Sequence, residues 1–250
     1  MTKQQINNRI TIIIPFTGNC RYRRRNLFNL LNIASVTNIK IIVAEQIYTS
    51  SILELPGNVT HIKFKNNNDV FNKGWLLNSV VNFVNTEYLW FCDADLYIDF
   101  KILLDKLVLD TDCIQPFDYA TCLSDMETIS LIHGKSVNLP GKKRLINMYG
   151  ALSFIIRREL YLNVGGVCEE YNGWGYEDYD FYNKITTSQQ IKIIRNCFAY
   201  HMWHPESEDK QTRGEMNYKI FKQRGHDLNN IHNHIKNTNY KNWTFAPVSD

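Results

Sequence analysis

Short unbroken apolar runs alternate along this chain with segments whose apolar residues recur every three or four positions. "RITIIIPF" (9–16) and "IKIIVAEQ" (39–46) are continuous β-branched runs, the pattern of strands buried on both faces. Between them Leu27, Leu30, Leu31 and Ala34 fall at helical spacing, which predicts a βαβ unit. "VTHIKFK" (59–65) reads as a third strand. "FNKGWLLNSVVNFVN" (71–85) reads as a helix with Leu76, Leu77, Val80, Val81 and Val84 inward, and "EYLWFCDADLYI" (87–98) as a fourth strand. After a less regular middle (112–147), "ALSFIIRREL" predicts a strand running into a helix, "GWGYEDYDF" opens another helix, and "QIKIIRN" is a further strand. Beyond "HMWHP" the chain is polar, and "NNIHNHIKNTNYKN" (229–242) approaches low complexity, so a flexible or partner-ordered tail is expected there.

The pattern predicts an α/β fold, a sheet flanked by helices in a single domain over 1–205, with a polar lid and C-terminal tail over 206–250. A chain of 250 residues can bury a substantial core. Its 28 basic and 25 acidic side chains nearly cancel, which argues against a general nucleic-acid binder. Six scattered cysteines without a C-x-x-C pair read as reduced core thiols rather than zinc ligands. With no signal-peptide pattern and no bilayer-length apolar run, the expected location is the cytoplasm, with peripheral attachment at the inner face of a membrane as a variant.

Three stretches carry candidate chemistry. In "YNGWGYEDYDFYNKI" (171–185), Gly173 and Gly175 flank Trp174, and Glu177, Asp178 and Asp180 follow in the first turn of the predicted helix. Acidic residues there are ordinary dipole and capping chemistry, but an aromatic face beside carboxylates is also how a sugar ring is held. In "LWFCDADLYI", Asp93 and Asp95 end an apolar strand, where ligands of open α/β sheets gather. One residue apart on a strand they point the same way and can share one target, a divalent cation such as Mg²⁺ or Mn²⁺; a pair of turn aspartates is the plainer alternative. In "AYHMWHPE", His201 and His204 can meet one ion if the segment turns. "RYRRR" suits a solvated helix start and phosphate binding equally well.

Four blocks, "IIIPF", "FNKGWLLNSV" followed by "CDADLY", "GWGYEDYDF" and "HMWH", resemble in order and separation the β-1,4-galactosyltransferase family and the related chondroitin-polymerase domains. The resemblance spans about residues 10–205. It implies a GT-A (Rossmann-like) nucleotide-sugar transferase with a mixed sheet, manganese-dependent and inverting the anomeric centre; the imidazole at His201 widens the expected ions to Mg²⁺ and Co²⁺. It implies a hexose or N-acetylhexosamine moved from a UDP-sugar to a saccharide or glycolipid hydroxyl in polysaccharide synthesis. By position, Pro15, Phe16 and Thr17 border the uridine diphosphate, and one of Arg21, Arg23, Arg24 or Arg25 reaches the donor. Phe71 resembles a residue packed near the base, and Lys73 stands for an arginine near the phosphates. Asp93 is similar to the aspartate near the ribose and donor sugar. Asp95, His201 and His204 resemble the metal ligands, although vertebrate members have methionine at the first histidine position. Met148 or Tyr149, before Gly150, resembles the donor-selectivity position. Trp174 and Glu177 resemble the groups that hold the sugars, and Asp178 the general base. Three alternatives remain at this level: a retaining transferase of the same fold, an inactive sugar-binding subunit of a polysaccharide synthase, and a metal-dependent phosphohydrolase.

Overall fold

The computed structural model describes residues 3–18, 20–48, 51, 53–66, 70–135, 145–146, 153–187 and 190–226. A short helix, α1 (Lys3–Asn7), precedes β1 (Ile10–Thr17), α2 (Arg21–Ser35), β2 (Lys40–Ile47), β3 (Val59–Lys65) and α3 (Lys73–Val81). Then follow β4 (Tyr88–Cys92), β5 (Leu96–Ile98), α4 (Phe100–Lys106), β6 (Cys113–Gln115), β7 (Tyr119–Cys122), α5 (Asp125–Ile132) and β8 (Leu145–Ile146). The remaining elements are β9 (Ser153–Arg157), α6 (Arg158–Asn163), α7 (Glu177–Thr186), β10 (Lys192–Ile193), β11 (Phe198–His201) and α8 (Lys210–Gln223).

Seven strands form the main sheet in the order β10-β6-β9-β4-β1-β2-β3. Strands β4, β1, β2 and β3 are parallel, and β9 runs against both β4 and β6, so the sheet is mixed as expected. The two-sided burial of β1 follows from strand alternation. Ile10, Ile12 and Ile14 pack with Leu27, Leu30, Leu31 and Ala34 of α2, whereas Ile13 packs with Leu76, Leu77, Val80 and Val81 of α3. Both of these helices therefore bury the faces that their spacing predicts, on opposite sides of one sheet.

The structure differs from the sequence expectations in three places. First, "EYLWFCDADLYI" is two strands. A turn closed by the Leu96 N–H donating to Asp93 O (3.2 Å) ends β4 at Cys92 and sends β5 into a second, four-stranded sheet ordered β5-β11-β7-β8. Second, part of the irregular middle supplies β6, β7, α5 and β8. Ser124 and Glu127 form a capping box at the start of α5. Third, the polar region after His204 holds the 14-residue helix α8. Its anchor, Phe221, is fully buried against Cys168, Tyr171 and Tyr182. Arg224 Nε donates to the buried Asp180 Oδ1 (2.9 Å), and His226 Nε2 lies 2.5 Å from the same oxygen, which closes the end of α8 onto α7. The low-complexity stretch beyond 226 lies outside the described residues, as do Met148, Tyr149 and Gly150.

Candidate active site

The carboxyl ends of β1, β2 and β4 converge with the start of α3. There Gln46, fully buried, accepts from the Asn72 N–H (2.9 Å) and donates to Val70 O (2.9 Å). Asn72 caps α3 by accepting from the Trp75 N–H (2.8 Å), while its amide donates to Glu169 O (2.7 Å) and Asn172 Oδ1 (3.2 Å). The Gly173 N–H donates to Phe71 O (2.7 Å). These bonds tie the start of α3 to the segment that leads into α7. Neither Gln46 nor Asn72 was expected at the site; only the position of Asn72 before a helix hinted at a cap.

Lys73 opens α3, where the helix dipole disfavours a cation. Its Nζ lies 2.9 Å from Asp93 Oδ1 and 3.0 Å from Asp178 Oδ1. Burial works against the charge of Lys73, but Asp178 and Asp93 outweigh it and hold the ammonium well above its usual range. Burial in turn pushes Asp93 up to about 6 against the pull of Lys73. Burial and the charge of Asp178 push the Glu177 carboxyl up to about 8. Glu177 Oε2 is buried with no hydrogen-bond partner among the described residues. Beneath this group a cavity of about 20 Å³, enough for a single water, is walled by Leu77, Phe91, Phe154 and Phe181.

Asp95 belongs to a second cluster. The turn after β4 separates it from Asp93, so the two aspartates do not share one target as strand geometry suggested: one faces Lys73, the other faces two imidazoles. Strand β11 pairs antiparallel with β5, His201 opposite Leu96, and the Met202 N–H donates to Asp95 O (2.7 Å). His201 Nε2 lies 3.6 Å from Asp95 Oδ1, and His204 Nε2 lies 3.1 Å from Asp95 Oδ2. The segment between the histidines is held from outside: Asn26 and Arg25 of α2 donate to Trp203 O (3.1 and 3.2 Å), and the Trp203 N–H donates to Thr128 Oγ1 of α5 (2.8 Å).

This trio fits a divalent cation. One ligand atom from each of Asp95, His201 and His204 lies within 4.8 Å of the others. His204 Nδ1 is 2.8 Å from Pro205 O, which can only accept, so Nδ1 carries a proton and Nε2 is the nitrogen that faces Asp95 Oδ2. Where Nε2 carries no proton, it and Asp95 Oδ2 are two acceptors 3.1 Å apart, a spacing that a shared cation fills. An ion about 2.1 Å from each of two ligands at right angles separates them by about 3 Å. Burial would raise Asp95, yet His201, His204 and Arg23 hold it well below the usual carboxylate range. Burial lowers His201, which favours the neutral, ligating ring. Of the four candidate arginines, Arg23 is the one whose charge acts on both Asp95 and His201. Arg25 pairs with Asp125 and Arg21 with Tyr22 OH.

The other expected residues are spread more widely. Pro15 and Phe16 are buried in β1, Phe16 within the core, and Thr17 Oγ1 donates to Gln46 O (2.9 Å) at the strand end. Phe71 is partly buried against the α3 side of the core. Trp174 is 53% exposed. It sits in a turn with three left-handed residues, Gly173 (φ 75°), Gly175 (φ 105°) and Tyr176 (φ 73°). The turn thus explains both glycines. Tyr176 carries the same strain with a side chain, and its ring is packed against Tyr218 and Phe221 of α8 (5.4 and 5.3 Å between centroids).

Residues 137–206, which include Trp174, Glu177, Asp178, His201 and His204, match a family model described as the N-terminal domain of galactosyltransferase. A sequence search of curated proteins finds no match. Among solved structures the chain is similar to S. aureus TarS 1-349 in complex with UDP-GlcNAc: 16% identity, 80% of this chain, 60% of that one, TM-score 0.56. It is similar to GalNAc-T7 solved with UDP, GalNAc and Mn²⁺: 13% identity, 79% of this chain, 43% of that one, TM-score 0.54. A further match is the catalytic domain of Drosophila beta1,4galactosyltransferase 7 with xylobiose, at 18% identity, 75% of this chain, 65% of that one and TM-score 0.47. The chain spans less than two thirds of each. Its architecture is the GT-A glycosyltransferase fold.

Proposed function

We propose that this GT-A domain is an inverting glycosyltransferase that moves a hexose or N-acetylhexosamine from a UDP-sugar to a saccharide hydroxyl. The observation that carries the reading is the position of Asp178, held by Lys73 beside Asp93, whose carboxyl also feels the charge of Asp95 in the Asp95–His201–His204 trio. Transfer with inversion forms a bond between the acceptor oxygen and the anomeric carbon as the bond from that carbon to the diphosphate oxygen breaks. The electron pair leaves on UDP, and the acceptor proton needs a base on the opposite side of the sugar. Asp178 is assigned that role, and Asp93 and Lys73 the hydroxyls of the donor sugar. Trp174 supplies an exposed aromatic face for the acceptor, and Glu177 a hydrogen bond at its rim. A divalent ion on Asp95, His201 and His204, Mn²⁺ in the first instance, would offset the charge that grows on the diphosphate. Arg23 adds a fixed positive charge on the same side. The family match over 137–206 and the nucleotide complexes of the two fold neighbours above support a UDP-sugar donor.

Among the described residues no helix is long and apolar enough to cross a membrane. We place the reaction in the cytoplasm, on a saccharide or on a glycolipid presented at the inner membrane face.

The test is a screen of UDP-sugars with Mn²⁺, scoring UDP release with and without glucose, N-acetylglucosamine and lactose, and reading the product anomer by NMR. Acceptor-dependent release with an inverted product is expected. In Asp178→Asn, turnover should fall by about 10²–10⁴-fold with donor KM nearly unchanged. Retention of configuration, release that ignores the acceptor, or normal turnover in the variant would overturn the assignment.

A further inference from the structure

Helix α8 presents one face to the turn that carries Trp174, and the residues on that face recur at 210, 213, 214, 217 and 221. Lys210 Nζ lies 4.6 Å from the centroid of the Trp174 ring. Gly214 meets the edge of the same ring: a Cβ there would stand 3.2 Å from Cζ3. Arg213 covers Gly173 so closely that a Cβ on that glycine would lie 3.0 Å from its Cγ.

Asn217 makes the most specific contact. It is 2% exposed, and its amide donates to Asn172 O (3.1 Å) and Trp174 O (3.0 Å) while its Oδ1 accepts from the Asn172 N–H (3.3 Å). Both donors and one acceptor of a single side chain are thus spent on the backbone on either side of Gly173. Aspartate in this place would lack both donors, and glutamine would be a methylene too long. On the opposite side the turn has the bond from the Gly173 N–H to Phe71 O. Three left-handed residues in four positions do not hold such a shape by themselves. The clasp between α3 and α8 holds it.

We propose that Asn217 and Gly214 are positioning residues for acceptor recognition: α8 sets the height and tilt of the Trp174 ring, and through it the acceptor sugar relative to Asp178. The donor side is built mainly from the ends of β1, β4 and β11 with α2, α5 and Lys73 of α3, so the two substrates should respond differently to changes at Asn217 and Gly214. This inference rests on the transferase reading for its substrate, but the shape of the turn can be measured without it.

Two variants and two measurements test the proposal. Asn217→Ala removes the clasp. Gly214→Ala adds one methyl against the ring while improving intrinsic helix propensity, so a purely structural role for α8 predicts no loss from it. Hydrogen exchange of peptides over 170–178, with β1 and β2 peptides as internal controls, is read in both. Asn217→Ala should speed exchange of that turn by about tenfold or more, leaving β1 and β2 as in the wild type. With the donor and acceptor found in the screen above, acceptor KM should rise by about tenfold in Asn217→Ala and about threefold in Gly214→Ala, with donor KM within about twofold of wild type. Asn217→Asp should not restore the wild-type value. Unchanged exchange in the turn, or donor and acceptor KM rising together, overturns the proposal. If the wild type consumes no UDP-sugar, the transferase reading falls, and the exchange result still decides whether α8 positions the turn. Should Asn217→Ala fail to fold, Gly214→Ala decides through the split between the two KM values.

Discussion

The ammonium of Lys73 lies 3.0 Å from Oδ1 of Asp178, a residue 105 positions away in the chain. The same nitrogen reaches Asp93, so one cation at the start of α3 ties the end of β4 to the first turn of α7. Neutralising it with Lys73→Met leaves two half-buried carboxylates facing each other without a counter-charge. The expected cost is about 3 kcal/mol at pH 7, seen as a lowered Tm, together with a loss of turnover of about 10²-fold. Burial holds Asp93 at about 6 against the pull of Lys73, and without the ammonium it rises further, so the stability deficit should shrink as the pH falls toward 6 and that carboxyl takes up a proton. A deficit independent of pH between 4 and 8 would mean that lost packing, not charge, is responsible.

Glu177 gives stability a pH dependence of opposite sign to that of an ordinary paired carboxylate. Its folded value, about 8, lies above the unfolded value of 4.5, so between these the folded state holds a proton that the unfolded state has lost. Its contribution is complete below about pH 4.5 and is lost as the pH rises through 8. Glu177→Gln keeps the neutral shape and removes the titration. The variant should gain on wild type as the pH rises from 5 to 8.5, by at most about 4 kcal/mol from these two values, seen as a Tm that falls less steeply with pH. Thermal melts of both proteins across that range, without metal or nucleotide, provide the check; parallel curves would place the Glu177 carboxyl in water.

The imidazole at 201 bears on metal choice. Vertebrate members of the family that the sequence resembles place methionine there, whereas His201 Nε2 stands 3.6 Å from Asp95 Oδ1 and faces His204. A nitrogen ligand binds several first-row ions, and a thioether is soft and weak toward them. The wild type is expected to work with Mn²⁺ and Co²⁺ and to retain some activity with Mg²⁺. His201→Met should lose at least about threefold more activity with Co²⁺ and Mg²⁺ than with Mn²⁺. Activity titrations of the two proteins against each ion are decisive, since identical profiles would take His201 out of the metal site.

What the sequence by itself determined is what local pattern encodes. Continuous β-branched runs place β1 and β2, helical spacing places α2 and α3, and the polar residues Asp93, Glu177, Asp178 and His201 stand at the ends of apolar elements, where an α/β sheet exposes its ligand face. Four short blocks in order sufficed to suggest the GT-A fold. The partners of those side chains were decided only by the tertiary structure, because pairing depends on which chain ends meet. A turn at Ala94 and Asp95 separated two aspartates that alternation alone would aim together, giving one to Lys73 and the other to two histidines. Lys73, placed by resemblance near phosphates, is found between carboxylates, since α3 begins where β4 and α7 converge. Helix α8 was hidden for a different reason. The face it buries is built from Gly214, Asn217 and Phe221, and two of those three are residues that a hydrophobic pattern scores as loop. A helix that docks by hydrogen bonds to a turn and by leaving room for an indole has little apolar periodicity to reveal it, so its contact with Trp174 becomes legible only in three dimensions.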